Sequence, residues 1–202
     1  MTDAADRPLW QPSPERCAAA NITAFMRAVE RKHDIKLSNY DALWRWSVEQ
    51  PEDFWRAVWS HAGIIGDLGS VGLIDGDKMP GARFFPDGRL NFAENLLRRN
   101  DATPALIFWG EDKARRTMTW AELNAEVSRL AQALKAAGIA AGDRVAGIVP
   151  NMPEAIVAML AAASLGAVWS SCSPDFGVQG VLDRFGQIEP KALFAVDAYH
   201  YN

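Results

Sequence analysis

Ser171, Cys172, Ser173, Pro174 and Asp175 set two hydroxyls, a thiol, a proline ring and a carboxylate side by side in the chain. They follow an aliphatic stretch that reads as a parallel strand and precede one that reads as a helix. In open α/β sheets ligands collect at such a strand-to-helix junction. Free N–H groups at a helix start favour anions, whereas Asp175 in a first turn already offsets the helix dipole. Two readings therefore stand: a structural cap, or a ligand-facing loop. Cys172 has no basic neighbour in sequence to make its thiol a nucleophile.

Other chemistry is scarce. His33, His61 and His200 are far apart, and no Cys/His cluster has metal-ligand spacing. There is no HExxH, GxSxG, GxGxxG or GK[ST] loop. Gly63, Gly66, Gly69 and Gly72 recur every third residue, followed by Gly76, Gly81 and Gly88. A phosphate-cradling loop needs a preceding strand and a GK[ST] ending. Residues 63–90 instead read as an irregular, solvent-facing connector. Lys191 reads as a surface residue. No catalytic group and no metal ligand is predicted in this chain.

The elements that must position the junction follow from periodicity. Residues 1–19 carry three prolines and little period, which suits an arm. Ile22, Phe25, Met26 and Val29 share one helical face. Ser38 and Asp41 have capping-box spacing ahead of Leu43, Trp44 and Val48. Pro51 suits the first turn of a helix striped by Phe54, Trp55, Val58 and Trp59 and stopped by Gly63. Residues 91–97 read as a short helix.

The pattern changes at residue 105. Residues 105–109 and 115–119 read as a hairpin joined by Gly110-Glu111-Asp112-Lys113. Thr119-Trp120-Ala121-Glu122 is a full capping box. It opens a helix with Leu123, Val127, Leu130 and Leu134 on one face and Gly138 at its end. Residues 144–149, 167–170 and 192–196 read as strands. Between them lie a helix capped by Asn151 with Glu154 and stopped at Gly166, and a helix over 176–187 capped by Ser173 with Pro174 in its first turn. Such alternation predicts right-handed βαβ units. The expected fold class is α/β: a helical N-terminal segment, a β-hairpin, and the first βαβαβ units of an incomplete parallel sheet. The unfinished sheet predicts a truncated sequence that self-associates through an open strand edge.

Bulk properties bound the function. The chain has 202 residues, a formal net charge of -4 and no long Lys/Arg run, so nothing suggests a nucleic-acid partner. Cys17 and Cys172 form no CxxC and no disulfide framework. Reduced thiols and a start without a basic, apolar leader predict a cytoplasmic protein. The longest apolar run, residues 155–169, is broken by Ser164 and Gly166. It falls short of the roughly 20 residues a membrane span needs.

Longer strings are more specific. They are Leu9-Trp10-Gln11-Pro12, Tyr40-Asp41-Ala42-Leu43, Trp46-Ser47-Val48-Glu49, Asp53-Phe54-Trp55 and Leu90-Asn91-Phe92-Ala93-Glu94-Asn95-Leu96-Leu97. Thr119-Trp120-Ala121-Glu122-Leu123, Gly142-Asp143-Arg144-Val145 and Pro150-Asn151 follow. The narrowest is Trp169-Ser170-Ser171-Cys172-Ser173-Pro174-Asp175-Phe176-Gly177-Val178, continued by Gly180-Val181-Leu182-Asp183-Arg184-Phe185. On these strings the chain resembles the adenylate-forming acyl-CoA synthetases, and within them the acetoacetate–CoA ligase branch. The acetyl branch typically carries a Gly-Gly-Phe-Ser loop at the last of them.

The resemblance implies an arm over 1–19 and an acetyl-CoA-synthetase-like helical segment with a Gly-rich connector over 20–97. Residues 98–202 are then the beginning of an AMP-binding (adenylation) domain. It implies a two-step ligation that uses acetoacetate, ATP, CoA and Mg²⁺. Such families handle the phosphates with a Ser/Thr/Gly-rich loop ending in Pro-Lys, an adenine-binding core motif and a Lys on a mobile C-terminal domain. None of these occurs in residues 1–202, so a fragment inactive by itself, holding none of these ligands tightly, is implied. Ser173, Pro174, Asp175 and Phe176 fall where relatives approach CoA. Tyr201 is a further CoA-facing candidate, although His200 and Tyr201 stand where the acetyl branch has basic character. A non-catalytic binding module or pseudoenzyme, and a fragment of an acetyl- or propionyl-CoA synthetase, are the alternative readings.

Overall fold

The computed structural model describes residues 8–111 and 114–199. It divides into two compact units, Met1–Arg89 and Leu90–Asn202.

Among its described residues the first unit holds four helices: α1 (Pro14–Ala18), α2 (Asn21–His33), α3 (Tyr40–Glu49) and α4 (Pro51–Ala62). The expected arm therefore contains a short helix, capped by the Ser13 hydroxyl on the Arg16 N–H. Phe25 and Val29 of α2, Leu43 of α3 and Ala57 of α4 are buried together with Leu37. Phe54 meets Phe25 edge-on at 5.9 Å and Trp46 at 6.1 Å. The buried face of α3 runs through Ala42, Leu43 and Trp46 rather than through Trp44 and Val48, which are exposed. Its cap is Asn39, whose side chain accepts the Ala42 N–H, one residue later than the Ser38 spacing suggests. Gly63 ends α4 in the left-handed conformation that a side chain disfavours.

The connector after α4 contains the two-residue strands β1 (Gly66–Asp67), β2 (Leu73–Ile74), β3 (Arg83–Phe84) and β4 (Arg89–Leu90), of which β2 and β3 pair antiparallel.

The second unit begins with α5 (Phe92–Leu96), capped by Asn91. The Asn91 amide also donates to the Ala163 carbonyl at 2.9 Å. The strands β5 (Pro104–Gly110) and β6 (Ala114–Thr119) form the expected antiparallel hairpin. Asp112 and Lys113 of its turn lie outside the described residues. Then come α6 (Trp120–Ala136), β7 (Arg144–Ile148), α7 (Pro153–Ser164), β8 (Val168–Cys172), α8 (Val178–Phe185) and β9 (Ala192–Ala195). Both halves of the Thr119–Glu122 capping box are formed. The α/β architecture and parallel sheet are as the sequence predicts.

The sheet order is β8-β7-β9, all parallel. Strand alternation divides its two faces. Val145, Trp169, Ala192 and Phe194 pack with Leu123, Val127 and Leu160 of α6 and α7. Ala146 and Cys172 pack with Phe185 of α8 on the other face. The first crossover steps from β7 to β8. The second returns across β7 to β9, so right-handedness puts α7 and α8 on opposite faces. Gly147, mid-strand on β7, is buried beneath Trp169: a Cβ there would lie 2.7 Å from the indole ring.

Candidate functional site at the carboxyl edge of the sheet

β7 and β8 are neighbours whose following helices lie on opposite faces. That geometry opens a crevice outside their carboxyl ends, where open α/β sheets bind ligands. A cavity of about 390 Å³ sits there, lined by Asn151 after β7, Trp169, Ser171, Cys172 and Ser173 of β8 and its exit, and Met159 of α7. Local pattern places Ser173, Pro174, Asp175 and Phe176 at this edge, and of the four Ser173 lines the cavity. Only strand order reveals the contributions of Asn151 and Trp169.

Residues 173–176 are not the first turn of a helix. Strand β8 runs on through Cys172, and α8 starts at Val178 with Gly177 as N-cap and no side-chain cap bond. Ser173 does not cap that helix, and Pro174 is not in its first turn. The Ser173 hydroxyl instead serves Asp175, donating to Oδ2 at 2.8 Å and accepting the Asp175 N–H at 3.3 Å. The Phe176 N–H closes the turn on the Ser173 carbonyl at 3.2 Å. The phenol of Tyr199, beyond β9, donates to Asp175 Oδ1 at 2.6 Å. The Tyr199 and then the Ser173 hydroxyl hold the Asp175 carboxyl below the usual carboxylate range. Phe176 is half-exposed and carries the Arg184 guanidinium 4.0 Å from its ring centroid.

The helix after β7 also departs from expectation. Met152, not Asn151, is its N-cap, and Pro153 opens it. Glu154 pairs with Arg116 of the hairpin at 2.6 Å rather than closing a capping box. Cys172 is buried against Ala146 and Phe185, the setting of a structural thiol. Lys191 is exposed and pairs with Asp143 at 2.7 Å. Tyr201 and His200 lie outside the described residues. His33 and His61 belong to the first unit and take no part in the crevice.

The Gly-rich connector is organised by a side chain of its own. Asp87 accepts the Ser70 N–H and hydroxyl, each at 2.9 Å, and the Val71 N–H at 3.3 Å. A carboxylate thus occupies the backbone donors that a bound phosphate would need.

Residues 92–201, 110 of the 202, match the family model described as AMP-binding enzyme. The chain belongs to the AMP-binding enzyme family. Residues 40–96 match the model described as acetyl-coenzyme A synthetase N-terminus. Among relatives of this chain, the acetoacetyl-coenzyme A synthetase of Rhizobium meliloti (strain 1021) is 56% identical over 198 residues, 98% of the chain and 30% of the relative. The acetoacetyl-CoA synthetase of Macaca fascicularis is 42% identical over 200 residues, 96% of the chain and 29% of the relative. A malonamoyl-CoA synthetase of Penicillium aethiopicum is 38% identical over 202 residues, 96% of the chain and 28% of the relative. The solved acetoacetyl-CoA synthetase from Streptomyces lividans superposes with a TM-score of 0.87 at 44% identity, covering 96% of this chain and 31% of that one. The chain spans about 30% of the length of the curated relatives it matches.

The AMP-binding family implies ATP, CoA and Mg²⁺ as ligands of a whole enzyme. The described residues do not fit a triphosphate with its metal. Among them no group of three or more His, Cys, Asp or Glu could hold a cation. The guanidinium of Arg116 is committed to Glu154, and that of Arg184 to the Phe176 ring. No helix among the described residues is long and apolar enough to cross a membrane.

Proposed function

We propose that this chain is the N-terminal part of an ATP-dependent acetoacetate–CoA ligase, and that the crevice beside Ser173, Pro174, Asp175 and Phe176 faces CoA. The identity to the Rhizobium meliloti acetoacetyl-coenzyme A synthetase over nearly the whole chain carries the reading. In the complete ligase a carboxylate oxygen of acetoacetate attacks the α-phosphorus of ATP. The bond to the pyrophosphate leaving group breaks, giving acetoacetyl-adenylate. The CoA thiol, losing its proton, then attacks the acyl carbon and expels AMP. ATP and Mg²⁺ are held by parts other than the residues described here, and this chain supplies a wall for the thiol-transfer half. The divisions 1–19, 20–97 and 98–202 and a cytoplasmic location belong to the same proposal. So does self-association of the isolated chain through the outer edges of β8 and β9.

The malonamoyl-CoA synthetase supports a second reading of the acid. Malonamate and acetoacetate have the same shape, an amino group replacing a methyl beside the β-carbonyl. Pyrophosphate release by the complete ligase should be fastest with acetoacetate and markedly slower with acetate and propionate. Faster release with malonamate selects the second reading. Equal rates with all four acids refute both.

A further inference from the structure

We propose that Asp175 and Tyr199 are a pair of positioning residues for the thiol-transfer half-reaction. The inference rests on the reading that the Ser173–Phe176 loop faces CoA. Coenzyme A is a polyanion, and an aspartate in the middle of a loop that meets it is an obstacle unless its charge is directed elsewhere. The structure does this with two hydroxyls. Tyr199 takes Oδ1 at 2.6 Å and Ser173 takes Oδ2 at 2.8 Å, so each carboxylate oxygen receives a neutral donor. The next residue presents the opposite character: Phe176 lies half-exposed beneath the Arg184 guanidinium at 4.0 Å.

The bond also joins two loops. Asp175 leaves β8 and Tyr199 leaves β9, strands separated by β7 in the sheet. The backbone hydrogen bonds across the sheet reach Val149 and Val196, and beyond them the Tyr199–Asp175 hydrogen bond joins the loop after β8 to the segment after β9. Neither residue touches a reacting atom. Their effect is to fix which face of the loop, the carboxylate or the Phe176–Arg184 pair, looks toward the crevice.

The test uses the complete ligase and its two half-reactions. In Tyr199→Phe, KM for CoA should rise about tenfold, the order expected when one hydrogen bond to a charged acceptor is lost. Acetoacetate-dependent exchange of pyrophosphate into ATP should keep its wild-type rate and its KM for ATP. In an Asp175→Asn background, where the charge that the phenol offsets is gone, Tyr199→Phe should change KM for CoA less than about twofold. An unchanged KM for CoA in Tyr199→Phe, or an equal loss of the exchange reaction, overturns the proposal and leaves the ligase reading standing. Exchange also reports folding, because an unfolded variant loses it. A wild-type ligase without acetoacetate-dependent exchange overturns the ligase reading and this proposal together.

Discussion

Gly147→Ala is the substitution whose cost the structure sets most directly. The new methyl would sit 2.7 and 2.8 Å from two atoms of the Trp169 ring and 3.3 Å from Val149. Carbon atoms pack best at roughly 3.5–4.0 Å, so the ring must retreat by about 0.8 Å. It has little room, because Phe194 lies against it with centroids 6.1 Å apart. Overpacking of this kind costs about 1–3 kcal/mol. The reduced freedom of the unfolded chain returns roughly 0.4–1 kcal/mol. The net loss is about 1–2 kcal/mol, or roughly a 5- to 30-fold faster amide exchange for residues 144–149 when exchange follows local opening. The assay is hydrogen exchange by mass spectrometry on the peptide carrying β7, in the complete protein. The decisive control is Trp169→Leu, which removes the obstructing ring. In that background Gly147→Ala should no longer accelerate exchange but slow it roughly two- to fivefold, the unfolded-chain contribution alone, so the two substitutions couple. Equal acceleration in both backgrounds, or none beneath the native Trp169, would refute the steric argument.

Three further outcomes are expected. Thr119→Ala removes the half of the capping box in which the hydroxyl accepts the Glu122 N–H, and leaves the half in which the Glu122 carboxylate accepts the N–H of residue 119. It should cost about 1 kcal/mol, read as roughly fivefold faster exchange in the first turn of α6. The Thr103 hydroxyl, then Arg99, then the Thr103 N–H hold the Asp101 carboxyl down to about 2. A carboxylate lowered in the fold stabilises it above the unfolded value near 3.9, and that contribution is lost as the pH falls from about 4 through about 2. Asp101→Asn should therefore flatten the decline of the melting temperature across that window, whereas an unchanged slope would mean the lowered value is not linked to folding. Val168 on β8 and Leu193 on β9 are about half exposed at the two sheet edges. Purified 1–202 should sediment as oligomers that dissociate on dilution, and a compact monomer at all concentrations would defeat the edge argument.

Much of the fold is legible because its signals are local. The capping box at Thr119, the spacing of Leu123, Val127 and Leu134, and the left-handed glycines at 63, 138 and 166 each act within a turn or two of chain. The strand order is not local. Nothing in residues 144–195 by itself says that β7 is central. That follows only when two right-handed crossovers must use opposite faces of one sheet. The crevice therefore could be expected near Ser173 but not assembled, because Asn151 and Trp169 reach it through the topology.

Three caps fall elsewhere than local pattern suggests, and two of them share one cause. Ser38, Asn151 and Ser173 are residue types that cap helices, and each stands within a few residues of a helix start. Yet Asn39 caps α3, Met152 precedes α7 and Gly177 precedes α8. For the last two, a partner distant in sequence takes a polar side chain that local reasoning assigns to the cap. Arg116 takes Glu154 from 38 residues away, and Tyr199 takes Asp175 from 24. A carboxylate drawn off in this way leaves its helix start without a side-chain acceptor and leaves the preceding loop shaped by tertiary contacts. Both losses fall at the carboxyl edge of the parallel sheet. The failure of local capping rules thus coincides with the place where the topology opens a crevice. Asp175 links the two: a residue that reads as a helix-start carboxylate instead bridges the exits of β8 and β9, and it can do so only because it does not serve α8.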